Sequence, residues 1–376
     1  MLHNDTWTPV DRVRLQTKLE ASDRLTNNRL LRWQRQAVAR SILPGERVSK
    51  CYRVRVRDLV DVYRSQKFKR AHYAGLATCA SVWSCPVCAS KITERRRVEL
   101  QQAVDCALAR GMSVFMVTWT IQHQKQDSLN DVREAMTIAM RSLKSGRFYQ
   151  DFISDFGIVG NVTGSEVKYG TIHGWHFHRH SIFFSSRKIT DAECYEMQIR
   201  LSSNYIKQLT RLGRYADSKI GVNVKMGDRN VSDYVSKYGT EKSESKWSLS
   251  AEITKGSSKS TGSILSGDDH FIPFELLDLH LYNEPGAGDL YREYAVTMKG
   301  YNQLRWSSGL RDYLDLGVEI TDEEIAASQD DDAALFAQIT ISQWRAILKQ
   351  EKRGQLLEVA SSGNLEWFQR YLSTIK

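Results

Sequence analysis

Four of the chain's nine histidines fall between residues 173 and 180. Within GWHFHRHSIFF, His176, His178 and His180 alternate along a segment that reads as a strand, so their imidazoles share one face. Neutral imidazole is the commonest metal ligand, and two or three on one strand face can grip a divalent cation. A solvated strand face with chance histidines is the plainer reading. The histidine density and the apolar SIFF run that follows argue against it. Arg179 falls at the other parity, where it is expected to pair with an acid or reach water.

A second set lies further on. In Asp233-Tyr234-Val235-Ser236-Lys237-Tyr238, the two tyrosines are four apart and share one face of a helix, with Lys237 beside them. A tyrosine hydroxyl with its pKa near about 10 is a poor nucleophile unless a phosphate is polarised and a cation lies close. Two core tyrosines on an amphipathic helix would give the same pattern. The third set is Cys79-x5-Cys85-Pro86-Val87-Cys88, with Cys51 upstream. Four thiolates could hold one structural zinc, and His72 could replace Cys51 as the fourth ligand. Buried free cysteines are the alternative.

These residues need elements to position them. KITERRRVELQQAVDCALARG reads as a helix ending at Gly111, and SVFMVTWTI as a buried strand. A helix follows over DSLNDVREAMTIAMRSLKSG. Two strands come next, VGNVTGSEVKY and GWHFHRHSIFFSS, with a turn near Gly170. DAECYEMQIRLSSNYIKQLTRLG reads as a helix and IGVNVKM as a strand. VSDYVSKYG reads as a short helix with Asn230 as its N-cap. RVRVRDLVDV reads as strand-like, KGSSKSTGSILSGDD as a mobile loop, and the C-terminal stretch from LFAQIT onward as amphipathic helices. Strand–helix alternation over roughly 110 to 250 argues for an α+β or α/β domain.

At 376 residues the chain has room for two or three domains and a sizeable core. Lys and Arg exceed Asp and Glu by 53 to 44, which favours an anionic partner such as nucleic acid. No apolar run reaches the ~18 residues of a membrane helix, and the start lacks a secretory pattern, so a cytoplasmic protein without membrane partners is expected. In that compartment a tight cysteine cluster points to metal rather than disulfides.

The histidine strand resembles that of the HUH endonucleases, specifically the plasmid rolling-circle replication initiators. Their strand reads like G-W-H-P-H-x-H followed by apolar residues. Aligning on the apolar run puts the two ligands at His178 and His180, with His176 as third ligand or support. Arg179 departs from the apolar residue usual between the ligands, and His176-Phe177-His178 fits the literal pattern better. Glu166, in GSEVKY, matches an acidic position of the family. It could complete the metal shell or be an exposed strand residue. The Y-x-x-K that follows, 54 positions after His180, resembles the family's nucleophile motif, with Tyr234 at the nucleophile position. Tyr238 makes a pair like that of initiators using two tyrosines. The Glu that some one-tyrosine initiators carry is replaced here by Asn230, so a second transfer to Tyr238, or water activated by Glu241 or Glu244, would finish the reaction. Thr118-Trp119-Thr120, YAGLATCASVWSCPVCASKITERRR, LSAEITKGSSK, PFELL and GYNQLRWSSGLR extend the resemblance over roughly residues 50 to 325.

The resemblance implies an α+β fold. A central antiparallel sheet flanked by helices forms the HUH nicking domain (111–260). It is preceded by an N-terminal helical segment (1–45) and a zinc-binding basic module (46–110), and followed by a loop and a mainly helical region (261–376). It implies Mg or Mn at the histidines and structural Zn at Cys51, Cys79, Cys85 and Cys88. Arg53, Arg55, Arg57 and Arg179 are expected to contact DNA. The implied reaction is nicking of one strand of a plasmid origin, leaving a 5′-phosphotyrosyl link and a 3′-OH primer. Host helicase, polymerase and single-strand-binding protein are the implied partners. A rolling-circle transposase shares these motifs. A non-catalytic zinc-dependent DNA-binding repressor is the alternative from another class.

Overall fold

The computed structural model describes residues 28–227 and 270–376. The segment expected to carry Tyr234, Lys237 and Tyr238, with Asn230, Glu241 and Glu244, lies outside the described residues. The first elements are α1 (Asn28–Ile42), β1 (Val60–Ser65), β2 (Ala71–Ala74), α2 (Pro86–Ala109) and β3 (Ser113–Trp119). Then come α3 (Leu129–Ser145), α4 (Arg147–Asp155), β4 (Ile158–Gly170), β5 (Gly174–Ser185), α5 (Asp191–Thr210) and β6 (Val222–Met226). The second described stretch holds β7 (His270–Phe271), α6 (Glu275–Leu281), α7 (Ala287–Thr297), β8 (Leu304–Trp306), α8 (Leu310–Tyr313) and α9 (Asp322–Ala327). It ends with β9 (Ala333–Ile339), α10 (Ile341–Lys349), α11 (Arg353–Ser361) and α12 (Leu365–Thr374). The fold is mixed α+β with antiparallel sheets. Among the described residues no helix is long and apolar enough to cross a membrane.

Local chemistry sets the helix starts. Ser128 accepts the Asp131 N–H at 3.1 Å, and Thr190 and Glu193 form a reciprocal capping box. Such caps contribute about 1 kcal/mol each. The helix α4 is absent from the sequence-based reading. Gly146, extended at φ −92° and ψ 163°, interrupts the helical pattern, and the chain restarts as a helix at Arg147.

The chain divides into two compact units, and the division falls within α2. The first is built from described residues of Thr93–Pro273 and Val296–Glu319. Its sheet has the order β6-β3-β5-β4-β7, with β8 also pairing β4. The central strand β5 buries Ile182, Phe183 and Phe184 completely. Even-numbered side chains on β3, β4 and β5, among them Met116, Val162, Ile182 and Phe184, pack with Leu100, Val104 and Ala107 of α2. On the opposite face Phe115 stacks on Phe183 at 5.4 Å, Phe152 of α4 meets Phe183 edge-on at 6.4 Å, and Tyr205 of α5 meets Trp119 at 5.3 Å. Full burial of one such phenylalanine contributes roughly 2–3 kcal/mol.

The second unit takes described residues of Pro9–Ile92, with Phe274–Ala295 and Ile320–Lys376. Its sheet has the order β2-β1-β9. Val60, Val62, Tyr73 and Ile339 pack with Trp33, Trp344, Leu356, Phe368 and Leu372 in one core. Two expectations are corrected here. RVRVRDLVDV does not form one strand: regular pairing starts at Val60, and before it there is only an isolated bridge between Arg55 and Leu76. Val54 and Val56 are solvent-exposed there, so alternation had no core to bury against. AALFAQI is the strand β9 rather than part of a helix, paired antiparallel with β1 from Val60↔Ile339 to Ser65↔Ala333.

Candidate functional site

The hairpin β4–β5 carries the histidines. Register sets Glu166 opposite His178, Lys168 opposite His176, and Gly164 opposite His180, with Thr118 of β3 on the other side of His180. All these positions share the face that buries Ile182 and Phe184 further along the strand. The hairpin needs glycine at its bend: Gly174 has φ +76°, and a Cβ there would lie 3.0 Å from the Lys125 backbone.

His180 is buried between two partners. Its Nε2 lies 3.0 Å from Glu166 Oε2, and its Nδ1 lies 3.2 Å from Thr118 Oγ1. Lys168 Nζ is 3.1 Å from the other Glu166 oxygen. The Glu166 carboxylate is thus buried and shared between an imidazole and an ammonium. His178 stands beside this pair, its ring stacked parallel to that of His180 with centroids 6.5 Å apart. Burial pushes the His178 imidazolium down to about 4, and the nearby Glu166 carboxylate only partly opposes that. His178 therefore stays neutral at ordinary pH and keeps a lone pair to donate. Two imidazoles and a carboxylate on one face fit a divalent cation in kind. Within the described residues, however, three or more candidate ligand atoms lie within 4.8 Å of one another only in the cysteine cluster.

The structure brings His176 into other company. His123 Nε2 lies 2.9 Å from His176 Nδ1, and the His270 ring centroid is 4.5 Å from that of His176. His176 Nε2 and His270 Nδ1 are both buried and, among the described residues, have no hydrogen-bond partner. A Cβ at Gly170 would lie 3.1 Å from the first and 2.9 Å from the second, so the two rings pack over a bare glycine. Burial first, then His123 and His270, pushes His176 down to about 3. Sequence reading missed His123 and His270, and the only available signal was the histidine ending FMVTWTIQH.

The four cysteines converge in the second unit. Cys51, Cys79, Cys85 and Cys88 are buried, and their Sγ atoms lie within 4.8 Å of one another. Cys51–Cys88 is 3.5 Å, Cys79–Cys88 is 3.7 Å and Cys51–Cys85 is 3.8 Å. A zinc ion roughly 2.3 Å from each of four tetrahedral thiolates requires sulfur–sulfur separations of about 3.8 Å. The cluster is therefore compatible with a structural zinc. Three donors support the sulfur atoms: Cys79 N–H to Cys51 at 3.3 Å, Cys88 N–H to Cys85 at 3.5 Å and Gln36 Nε2 to Cys85 at 3.2 Å. Sharing hydrogens with neighbouring sulfurs, then burial, pushes the Cys51 and Cys88 thiols up, which a bound cation would reverse. Cys51, not His72, is the fourth member; His72 instead stacks on Tyr63 at 6.0 Å.

The arginines expected at DNA differ in availability. Arg53 Nη1 is held 2.7 Å from Glu351 Oε1. Arg55 turns back onto the Asp58 carbonyl, while Arg57 is 66% exposed, with Asp61 3.7 Å away. Arg179 points to the face opposite the histidines, as parity requires. Among the described residues it pairs with no acid there, and meets Thr137 Oγ1 at 2.8 Å, Met140 Sδ at 3.4 Å and the Phe177 ring.

The chain is similar to a protein named "Protein rep" from Streptomyces lividans, 34% identical over 134 aligned residues that cover 29% of this chain and 29% of that protein. It is also similar to a "Neomycin resistance protein" from Streptomyces cyanogenus, 28% identical over 132 residues that cover 29% of this chain and 30% of that protein. The chain thus spans under a third of the length of the curated relatives it matches. No protein-family model and no solved structure matches it. The two matches support a plasmid Rep family for the chain.

Proposed function

We propose that the chain is a plasmid replication protein, a rolling-circle initiator of the HUH endonuclease kind that nicks one strand of its origin. The observation that carries this reading is the alignment of Glu166, His178 and His180 at facing registers of two paired strands, beside the similarity to a Rep protein. Residues 111–260 would carry the nicking chemistry. Origin DNA would be the substrate, and host helicase, polymerase and single-strand-binding protein would act downstream.

His178, His180 and Glu166 would hold a magnesium or manganese ion. Bound there, it would polarise the scissile phosphate and offset developing charge. The remaining steps belong to the chain. Lys168 holds the Glu166 carboxylate in place, and Thr118 fixes the His180 ring. Tyr234 gives up its hydroxyl proton, with the Lys237 ammonium favouring the phenolate, and its oxygen attacks phosphorus. The P–O3′ bond breaks, and the released oxygen takes a proton to become a 3′-OH. The new bond is a 5′-phosphotyrosyl ester, close in energy to the bond broken, so strands can later be rejoined without a nucleotide cofactor. Transfer to Tyr238 would close the cycle. Zinc on Cys51, Cys79, Cys85 and Cys88 would order the basic module.

The test is incubation with supercoiled plasmid carrying the cognate origin and Mg²⁺ or Mn²⁺. Open circles should form, and brief chelation should abolish them until the metal is restored. Full nicking by a protein with both His178 and His180 changed to alanine would overturn the reading.

A further inference from the structure

On the sheet face opposite the histidines lies a group of cations that, among the described residues, pair with no carboxylate. Arg133, Thr137, Met140 and Lys144 follow one stripe of α3. Arg179 of β5 lies under that stripe, its Nη2 donating to Thr137 Oγ1 at 2.8 Å and Nη1 reaching Met140 Sδ at 3.4 Å. Lys144 Nζ donates to Asn161 Oδ1 at 3.4 Å. Register puts Arg305 of β8 opposite Thr163, and Thr163 opposite Ser181, so these side chains share the face of Arg179. Thr163 bonds Asn161 at 3.3 Å and Ser181 at 2.9 Å, giving a floor of amide and hydroxyl groups.

In the same unit several other arginines are paired, among them Arg96 with Glu99 and Glu319, Arg97 with Glu94, and Arg110 with Asp315. Among the described residues Lys144, Arg179 and Arg305 take part in no ion pair. Arg133, also without one among the described residues, lies 4.5 Å from the Tyr301 ring. Burial, then the charges of Arg179 and Arg305, pulls the Lys144 ammonium down to about 8. Like charges held together without a counter-ion, over hydroxyl and amide groups, make a site that wants an anion. Arg305 is exposed and Lys144 and Arg179 are half-buried, so the site opens to solvent at the β8 edge.

We propose that Lys144, Arg179 and Arg305 form a phosphate site, separate from the histidine face, that takes the backbone of a nucleic-acid strand. The inference rests on the reading of the chain as a DNA-binding protein. Among the described residues no carboxylate is paired with the trio to accept a base amino group, and the Phe177 face is already covered by the Arg179 guanidinium. The site therefore contacts backbone and reads no sequence.

The test uses the full chain and the variants Lys144→Gln, Arg179→Gln and Arg305→Gln, with folding checked by circular dichroism. Arg305 is exposed, so its variant keeps the test sound if Arg179→Gln fails to fold. Two measurements are made. Binding of a mixed-sequence single-stranded oligonucleotide is followed by fluorescence anisotropy across a salt series. Thermal unfolding is compared in inorganic phosphate and in chloride at equal ionic strength. Each folded variant should bind DNA several-fold more weakly, with the slope of log affinity against log salt reduced by about 0.7. If the wild type binds DNA and the folded variants match its affinity and slope, this inference fails while the nicking reading stands. If the wild type binds no DNA, but phosphate stabilises it and not the variants, the phosphate site stands with a free phosphate as its ligand and the DNA reading fails. Absence of both effects overturns both.

Discussion

Replacing Cys88 by serine should cost the second unit its fold. Cys88 Sγ lies 3.5 Å from Cys51 and 3.7 Å from Cys79, within a few tenths of an ångström of the about 3.8 Å edge of a zinc–thiolate tetrahedron. A structural zinc contributes roughly 10–16 kcal/mol of apparent binding free energy at neutral pH. The whole stability of a domain is about 5–15 kcal/mol, so losing the ion is enough to unfold the unit around it. The buried sulfurs would also lose their counter-charge while Gln36 and two backbone N–H groups still pointed at them. The assay pairs zinc content by elemental mass spectrometry with urea unfolding followed by far-ultraviolet circular dichroism. The wild type should carry about one zinc per chain through brief chelation. Cys88→Ser should carry none and lose its cooperative transition in that unit. A zinc-free Cys88→Ser protein with the wild-type urea midpoint would refute the argument from sulfur geometry.

Four further outcomes are expected. His178→Ala and His180→Ala should each abolish metal-dependent nicking. His176→Ala, whose ring sits with His123 and His270, should weaken it less; the reverse order, read from nicking rate against metal concentration, would move the site two residues toward the N-terminus. Glu351→Gln removes the carboxylate shared by Arg40, Arg53 and the buried Arg353, and should lower stability by about 2 kcal/mol in urea; an unchanged midpoint would contradict this. His72 should make the second unit acid-sensitive. Burial lowers its pKa to about 4, against the opposing charge of Asp330, so between pH 6.5 and 4 the unfolded chain binds a proton the folded one refuses. Stability is complete above 6.5 and falls with pH through that window, by about 1–2 kcal/mol after allowing for partial exposure; His72→Gln, compared at pH 7 and 4.5, should lose less than the wild type.

The sequence made the first sheet readable because its strands carry their own signals. SVFMVTW and SIFF are apolar runs buried on both faces, and caps at Ser128 and Thr190 mark where helices begin. The face shared by His176, His178 and His180 followed from strand parity alone. The second sheet was less legible because β1 finds its partner β9 more than 250 residues away, and β9 leaves Leu335 exposed at 51%. Period-based reading sees neighbours in sequence, so the edge strand passed for a helix. CPVC announced a metal knuckle, yet only the fold decides between Cys51 and His72 for the fourth place. The cations of the opposite face come from α3, β5 and β8, and no spacing rule connects them.

The central claim is that a tyrosine becomes joined to DNA. The most direct measurement is peptide mass spectrometry of the protein after reaction with a labelled suicide oligonucleotide carrying the nick site and divalent metal. A 5′-phosphodeoxynucleotide on Tyr234, absent in Tyr234→Phe and in metal-free controls, is the expected result. Nicking with no covalent adduct, or an adduct on Tyr238 alone that persists in Tyr234→Phe, would contradict it.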